Sequence, residues 1–465
     1  MRAPGVFARP VVWIAAAILG GTAQAQAVDE VPWRHAHINE VAELLGLPPE
    51  LPISDLEAQP AGGSLGLQDS IRRGAEVSFD AQAAAEHSKS VDYTRRAALG
   101  ALLPRIDVSA GAGRGELTSL DPYLTTTRSE ASITLRQVVL DYAAKRELDR
   151  QSQLSKAARW QQQGANSAAG LEAASAYLQA LQSRMVIALS EEHEGRLQEL
   201  LGYITRRAEA GGTSEAEAAR VRARVANARA TIADSRANLR TALRNLESLL
   251  QETPAALTIG TPARLLPIPG TVTEAKQLAE TSNFDLLAAQ ADKDAADRET
   301  GGYVARFVPR VELLVQHRID ENGAGTVSEL RDSRVMLQAT LSLLNGGADR
   351  AQYSASAHRA REKTLQRDSS RRRLAQELDS AYATLDGMAE RFGAVREEMA
   401  ANATVVEAFR EQLVGGNRQL LDVLDAYQRY HQSRLDIAQL SILDLQNHVK
   451  VAHLIGVLAP MLGVP

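Results

Sequence analysis

The segment 422–426 places two carboxylates where they could act together. Asp422 and Asp425 stand three residues apart in a stretch whose composition favours a helix. Residues i and i+3 of a helix lie about 60° apart around its axis, so both carboxylates share one face. Paired carboxylates can attract cations, but most such pairs face solvent. Taken alone, this pair favours an ordinary solvated helix face.

Residues suited to catalysis, cofactor binding or metal binding form no coherent motif. The nine histidines are scattered, and His35 and His37 form an isolated pair in a proline-rich region, typical of a solvated loop. Gly111–Gly113 opens no helix, and after Gly346–Gly347 it is Ala348 that stands where a dinucleotide-binding loop needs a glycine. The absence of cysteine excludes thiol catalysis and Cys-ligated zinc. We therefore expect no enzymatic activity, no cofactor and no metal.

The composition favours long helices over an aromatic-packed enzyme core. Of 465 residues, 45% are hydrophobic but only 4% are aromatic. Charge is nearly balanced, with 52 Lys and Arg against 57 Asp and Glu. A broad basic surface for nucleic acid is therefore not expected. Arg371–Arg373 is more typical of a solvated helix face.

The first residues predict export from the cytoplasm. A positively charged start precedes the short apolar run Val11–Gly21 and small residues suited to cleavage at Ala23–Ala25 or Ala25–Ala27. This arrangement is typical of a secretory signal peptide, which we place at residues 1–27. No later stretch reaches the ~18 apolar residues of a membrane-spanning helix. A mature chain that enters a membrane must therefore do so as β-strands.

The chain contains one internal duplication. Four landmarks recur in the same order at an offset of 204 or 205 residues, which argues for two structural repeats. The recurring pairs are Pro104–Val108 with Pro309–Leu313, Asp141 with Asn345, Ala176–Tyr177 with Ala381–Tyr382, and Gly211–Gly212 with Gly415–Gly416.

Period-two alternation predicts two strands in each repeat. We expect them at about residues 105–112 and 129–137 in the first repeat, and at 310–319 and 334–344 in the second. Strands of this length suit a tilted membrane crossing, although half-buried strands of a soluble sheet alternate in the same way. Four strands cannot close on themselves, and open edges in lipid are costly. On the membrane interpretation, the strands must therefore pair between subunits.

Long helices follow each predicted strand pair. We expect helices at about 141–210 and 215–251 in the first repeat, and at 348–414 and 419–458 in the second, because these stretches lack proline and are rich in strong helix formers. The longest would extend for about 100 Å. Their apolar residues recur at alternating steps of three and four, which predicts a coiled-coil core.

Glycine and proline mark the boundaries of these elements. Gly211–Gly212 and Gly415–Gly416 interrupt the helices and suit a tight helix-to-helix turn. Proline-rich stretches predict an extended lead-in before the first repeat and a partly irregular connector between the repeats. The predicted order is a lead-in at 28–66, the first repeat at 67–252, the connector at 253–283 and the second repeat at 284–463.

This duplicated layout resembles the outer-membrane efflux protein family, the TolC-like channels of Gram-negative bacteria. The resemblance extends from about Leu67 to Gly463 and rests on the strand entries at Pro104 and Pro309 and on Gly416–Ala426. It implies a mainly α-helical fold with membrane β-strands. In that fold a homotrimer forms a 12-stranded outer-membrane β-barrel, continued by a periplasmic α-helical tunnel.

The resemblance also implies a function and partners. The chain would be the passive exit duct of a tripartite type I secretion or efflux system, set in outer-membrane lipid. Its partners would be a periplasmic adaptor (membrane fusion) protein and an inner-membrane ABC or proton-driven transporter. The cargo stays open between a secreted protein, a drug and a metal. The alternative is an exported structural coiled-coil protein of the periplasm, which would not explain the paired strands.

The resemblance assigns roles to residues near the second glycine pair. Asp422 and Asp425 match aspartates that line the narrow periplasmic mouth, where three chains would bring six carboxylates together and favour cations. Arg418 matches an arginine that helps tie the closed entrance. Two departures stand out, because Leu413 replaces an expected tyrosine and Ala218 an expected aspartate. Glu217, next to Ala218, is the substitute candidate.

Overall fold

The structure is a computed structural model, and it describes residues 33–34, 38–53, 63–116, 125–252, 254–259, 268–321 and 329–458. The predicted signal peptide, the His35–His37 pair and the tips of both strand loops lie outside this part of the chain. The chain divides into two compact units. Unit 1 comprises Met1–Ser78, Asn166–Asn283 and Leu374–Pro465, and unit 2 comprises Phe79–Ala165 and Phe284–Arg373.

The described part of the chain contains nine helices and nine strands. None of these helices combines the length and the hydropathy that crossing a membrane requires. The helices are α1 (Ile38–Leu45), α2 (Leu67–Val77), α3 (Phe79–Gly100), α4 (Tyr142–Glu209), α5 (Glu215–Leu250), α6 (Val272–Ser282), α7 (Phe284–Ala305), α8 (Ala348–Val414) and α9 (Leu420–Leu454). The strands are β1 (Trp33–Arg34), β2 (Glu50–Pro52), β3 (Ser64–Leu65), β4 (Arg105–Glu116), β5 (Thr125–Leu140), β6 (Ala256–Thr258), β7 (Ile268–Pro269), β8 (Arg310–Glu321) and β9 (Glu329–Thr340).

Unit 2 carries one antiparallel sheet in the order β4-β5-β8-β9. The strand pairs of the two repeats join where β5 pairs with β8, so β4 and β9 form the two edges. The register places Ile106 opposite Leu135, Leu135 opposite Val315, and Val315 opposite Val335. Residues directly opposite each other on neighbouring strands lie on the same face of a sheet, so these positions belong to one predominantly apolar face.

The two faces of the sheet differ in chemistry. On the apolar face, Val108, Val335 and Leu337 are each more than two-thirds exposed. The opposite face carries polar and charged side chains. Among them, Arg318 forms ion pairs with Glu130 at 3.0 Å and with Asp320 of its own strand at 2.7 Å. Exposed apolar side chains in contiguous rows mark a surface that another apolar phase covers.

The strand bounds correct the sequence prediction. The predicted strand at 334–344 ends at Thr340 instead, because its last partner is Arg310 and the preceding Pro309 has no N–H for the ladder. The strand predicted at 105–112 continues to Glu116, and the one predicted at 129–137 runs over Thr125–Leu140. Gly111 and Gly113 flank the predicted end of β4, and pairing with β5 holds both in the sheet.

The duplication is longer than the sequence analysis predicted. Helices α2 and α3 precede the first strand pair, and α6 and α7, of the same lengths, precede the second. The second repeat therefore starts at Val272, inside the predicted connector. Helix α9 ends at Leu454 rather than at 458, and Gly456 follows in the left-handed conformation that ends helices.

The predicted lead-in is packed into unit 1 rather than extended. Val41, Leu45 and Leu51 from this stretch are almost fully buried. Strands β2 and β3 pair with β6 on either side, so residues from the lead-in and from the connector share one small sheet. Apolar side chains at alternating positions fix these short strands on the helical core.

Candidate functional site

Two helix turns of unit 1 have the same geometry. In the first, the Gly211 amide donates a hydrogen bond to the Ala208 carbonyl, and the Gly212 amide donates one to the Arg207 carbonyl. This hydrogen-bond pair is a Schellman motif, which requires a left-handed residue where Gly211 has φ +75°. An L side chain would be strained at that position, so glycine is the residue that suits it.

The second turn repeats this motif with a shift of one glycine. The Gly416 amide donates a hydrogen bond to the Leu413 carbonyl, and the Asn417 amide donates one to the Gln412 carbonyl. Gly416 is the left-handed residue here, with φ +78°, whereas Gly415 has no positive φ. Gly211 therefore corresponds to Gly416, so the repeat offset is 205 rather than 204 at this landmark.

The paired carboxylates lie just after the second turn, in the first turns of α9. Asp422 Oδ2 lies 3.0 Å from Arg418 Nε, and Asp425 Oδ2 lies 2.9 Å from Arg429 Nη2. Both aspartate side chains are about half exposed, whereas Val423 between them is fully buried. The two carboxylates thus share the outer face of α9, and each is balanced by an arginine of the same segment.

The predicted entrance-tying residues, Arg418 and Glu217, are not brought together in the chain. The Arg418 guanidinium lies 3.7 Å above the Phe409 ring, in cation–π range, and close to Asp422. Glu217 instead accepts a hydrogen bond from the Thr213 hydroxyl in its own turn. The contacts of both residues therefore stay within their own helix pairs.

The two departures from the expected family pattern are core positions. Leu413 and Ala218 are each 5% exposed and belong to one apolar cluster behind the turns. The cluster joins α4, α5, α8 and α9 through residues such as Ile204, Val221 and Val423. At these two positions the chain therefore packs apolar groups instead of presenting polar groups.

A comparison with known families identifies the chain. Residues 75–251 and 275–457 match the sequence profile described as outer membrane efflux protein, one segment for each repeat. The chain belongs to the outer membrane efflux protein family. This efflux protein is therefore an outer-membrane exit duct of efflux systems, as the resemblance implied, and the structural coiled-coil alternative is not favoured.

Solved structures share the fold of this efflux protein at low sequence identity. CusC matches with a TM-score of 0.73 and 15% identity, over 88% of this chain and 96% of that chain. The outer membrane protein VceC of Vibrio cholerae matches with a TM-score of 0.71 and 15% identity, over 84% and 96%. The open state of the Neisseria gonorrhoeae MtrE outer membrane channel matches with 0.69 and 15%, over 92% and 97%. A search of curated proteins finds no match to the chain.

Sequence reasoning missed one arginine of the efflux protein that lies between the two turns. Arg207, in the last turn of α4, donates from Nη1 to the Leu413 carbonyl at 3.2 Å and to the Tyr203 hydroxyl at 3.4 Å. A basic residue near a helix C-terminus is a common sequence signal, but it points to the residue's own helix and not to a second one.

A second missed feature is a buried histidine pair between α4 and α9. The rings of His193 and His431 stack with centroids 4.3 Å apart and planes 5° apart. Burial, with the charges of Arg196 and Arg434 nearby, lowers the pKa of His193 to about 4 and that of His431 to about 3. Glu192 forms ion pairs with both arginines and holds them beside the rings. The pair is therefore neutral at physiological pH.

The remaining titratable residues of the described ranges offer no cluster of metal ligands. Within the described ranges, no group of three or more His, Asp or Glu side chains is arranged to hold a metal ion. The family is one of channels, and the arrangement at the turns offers charge, hydrogen bonds and packing. The chemistry available there is the attraction and exclusion of ions.

Proposed function

We propose that three copies of this efflux protein form one channel by pairing the edges of their sheets. The sheet order carries this proposal, because β4 and β9 are edge strands and have no second partner among the described strands. An unpaired backbone group in lipid costs several kcal/mol. Pairing β4 of one copy with β9 of the next removes every edge and gives a closed sheet of twelve strands.

The chemistry of the two sheet faces supports this arrangement. The face with Val108, Val335 and Leu337 would contact lipid, since lipid covers apolar side chains at no cost. The face with Arg318 and Glu130 would line the water-filled interior. Outer-membrane proteins of this kind place apolar residues outside and polar residues inside.

The two helix turns of each chain would form part of the periplasmic entrance of the channel. Asp422 and Asp425 of three copies would then bring six carboxylates around one opening and favour cations. Arg418 and Arg429 balance this charge in part, so the cation preference would be moderate. Arg418 and Glu217 stay candidates for ties between copies, because both lie beside the turns.

The transport cycle requires partners that supply energy. The channel would receive its cargo from a periplasmic adaptor and from an inner-membrane ABC or proton-driven transporter, in a type I secretion or efflux system. It would conduct passively and catalyse no reaction, in keeping with a family of channels.

Ion selectivity in planar bilayers tests the acidic entrance. Asp422→Asn combined with Asp425→Asn should move the reversal potential in a KCl gradient toward zero. It should also weaken Mg²⁺ block by roughly tenfold, which corresponds to about 1.4 kcal/mol. Arg429→Gln should act in the opposite direction, because it leaves Asp425 without its cation partner.

A matched variant separates the entrance from general charge effects. Asp234→Asn combined with Asp436→Asn removes the same charge from α5 and from the middle of α9, and should leave selectivity and block unchanged. If the Asp422 and Asp425 variant behaves like this control, the acidic entrance is disproved.

A further inference from the structure

Arg207 participates in both helix turns, through its backbone in one and its side chain in the other. Its carbonyl accepts the Gly212 amide at 2.8 Å, a bond that closes the first turn. Its guanidinium donates to the Leu413 carbonyl at 3.2 Å, and that carbonyl also accepts the Gly416 amide of the second turn at 3.1 Å. One residue therefore connects the closing hydrogen bonds of two turns.

The surroundings of Arg207 fix its side chain in this position. A Cβ on Gly212 would lie 3.1 Å from Arg207 Cγ, so the first turn packs directly on the arginine stem. A Cβ on Gly416 would lie 3.9 Å from Arg207 Nη2, so the guanidinium lies against the second turn. The Tyr203 hydroxyl, one turn back on α4, accepts a further bond.

The electrostatics favour the contact with α8. The Leu413 carbonyl is among the last of α8, where the helix dipole places partial negative charge. A guanidinium is always charged and presents several donors in a fixed plane. The bond is therefore charge-assisted, and such bonds are stronger than those between neutral groups.

We propose that Arg207 is a positioning residue. By tying the C-terminus of α4 to the C-terminus of α8 in each chain, it keeps the channel entrance closed. The inference rests on the proposed entrance at the two turns. Arg418 and Glu217 do not supply this tie within the chain, because their contacts stay in their own helix pairs. Opening the entrance by separating the turns must break the Arg207 bond first.

Single-channel recording tests the effect on conduction. Arg207→Ala should raise the open probability by at least about tenfold, because each of the three chains loses one charge-assisted bond that opposes opening. Arg206→Ala is the matched control, because Arg206 is adjacent, has the same charge and is exposed. The thermal midpoint of Arg207→Ala should stay near that of the control, which separates a tie from a general structural role.

Distances between spin labels test the tie without relying on conduction. The chain has no cysteine, so Glu209→Cys and Glu411→Cys, both exposed, can be labelled specifically next to the two turns. Adding Arg207→Ala should broaden and lengthen the distance distribution, and adding Arg206→Ala should not.

The two readouts separate the proposals. Unchanged distances with Arg207→Ala overturn the tie, whatever the currents show. A wild-type protein without currents overturns the proposed channel, and the label distances then still decide whether Arg207 joins the turns. Changed distances with unchanged open probability overturn the role in closing the entrance.

Discussion

Two tyrosines one repeat apart make the same kind of contact. The Tyr177 hydroxyl donates to the Thr258 carbonyl, and the Tyr382 hydroxyl donates to the Pro269 carbonyl at 2.6 Å. Both side chains are almost fully buried, and burial raises the pKa of Tyr177. Each repeat thus ties its long helix to the short strands between the repeats.

Removing either hydroxyl should destabilise unit 1. Tyr177→Phe and Tyr382→Phe should each lower the free energy of unfolding by about 1–2 kcal/mol, because a backbone carbonyl beside a buried ring loses its partner. Urea unfolding in detergent measures this loss. Tyr142→Phe, at a half-exposed tyrosine, should change the free energy by less than about 0.5 kcal/mol. Equal losses in all three variants would disprove the tie.

The histidine pair should make the protein sensitive to acid. The pKa values of about 4 for His193 and about 3 for His431 lie below the ordinary value of 6.5, so the unfolded chain binds more protons between these limits. The free energy of unfolding should keep the full contribution of the neutral pair above pH 6.5, and it should fall as the pH drops toward 4. Each ring should contribute on the order of 3 kcal/mol to this loss. Groups facing the rings include Glu192, the arginines 196 and 434, and the tyrosines 427 and 430.

Variants that cannot protonate should reveal this contribution. His193→Phe combined with His431→Phe should flatten the dependence of unfolding free energy on pH between 6.5 and 4, compared with wild type. His358→Phe, at an exposed histidine, should keep the wild-type slope. A double variant as acid-sensitive as wild type would show that the pair does not titrate in this way.

The predictability of these residues depends on the range of their contacts. The pair Asp425–Arg429 follows from helical spacing of four residues, which can be derived from any sequence. Arg418 lies before α9, so its contact with Asp422 depends on the shape of the turn. The bond from Arg207 to Leu413 joins residues 206 apart, and only the packing of two turns determines it. The roles of Asp422 and Asp425 came from family resemblance and stay predictions.

At the scale of elements, Gly456 sets the end of α9. It has φ +70°, and a Cβ there would lie 2.0 Å from the Ser282 carbonyl oxygen at the end of α6. The backbone of α6 cannot shift cheaply, because Asn283 donates from Nδ2 to the Leu454 carbonyl at 2.8 Å. The close approach of the two helix ends therefore requires glycine at position 456.

Two glycine substitutions should have opposite effects. Gly456→Ala should lower the free energy of unfolding by more than about 2 kcal/mol, through strain at positive φ and a clash with backbone. Gly387→Ala, in the middle of α8 and facing open space, should raise it by about 0.5–1 kcal/mol, because alanine favours helices. Chemical denaturation of both variants measures these changes. An unchanged free energy of unfolding in Gly456→Ala would contradict the described packing.

Elements were predictable where the apolar pattern was strong. Strands alternate with period two, and the long helices carry a sustained apolar seam, so both types were predicted near their observed places. Helix α3 was missed because it buries little apolar surface, with only Ala81 and Ser88 described as buried. The end of β9 was wrong because it depends on where β8 begins, which local sequence does not determine.

At the scale of the whole molecule, the duplication was the most informative feature of the sequence. The predicted fold class is confirmed by the family match, with one matched segment for each repeat. The offset of 205 residues relates Gly211 to Gly416 and Tyr177 to Tyr382. The sequence could not show that the lead-in packs into unit 1, because its short strands depend on β6 as a partner.

The mass of the particle extracted from outer membranes tests the central claim most directly. Native mass spectrometry in detergent should show three chains per particle, because edge strands β4 and β9 need partners that one chain lacks. A single chain that stays soluble without detergent would contradict the closed sheet and the entrance built on it.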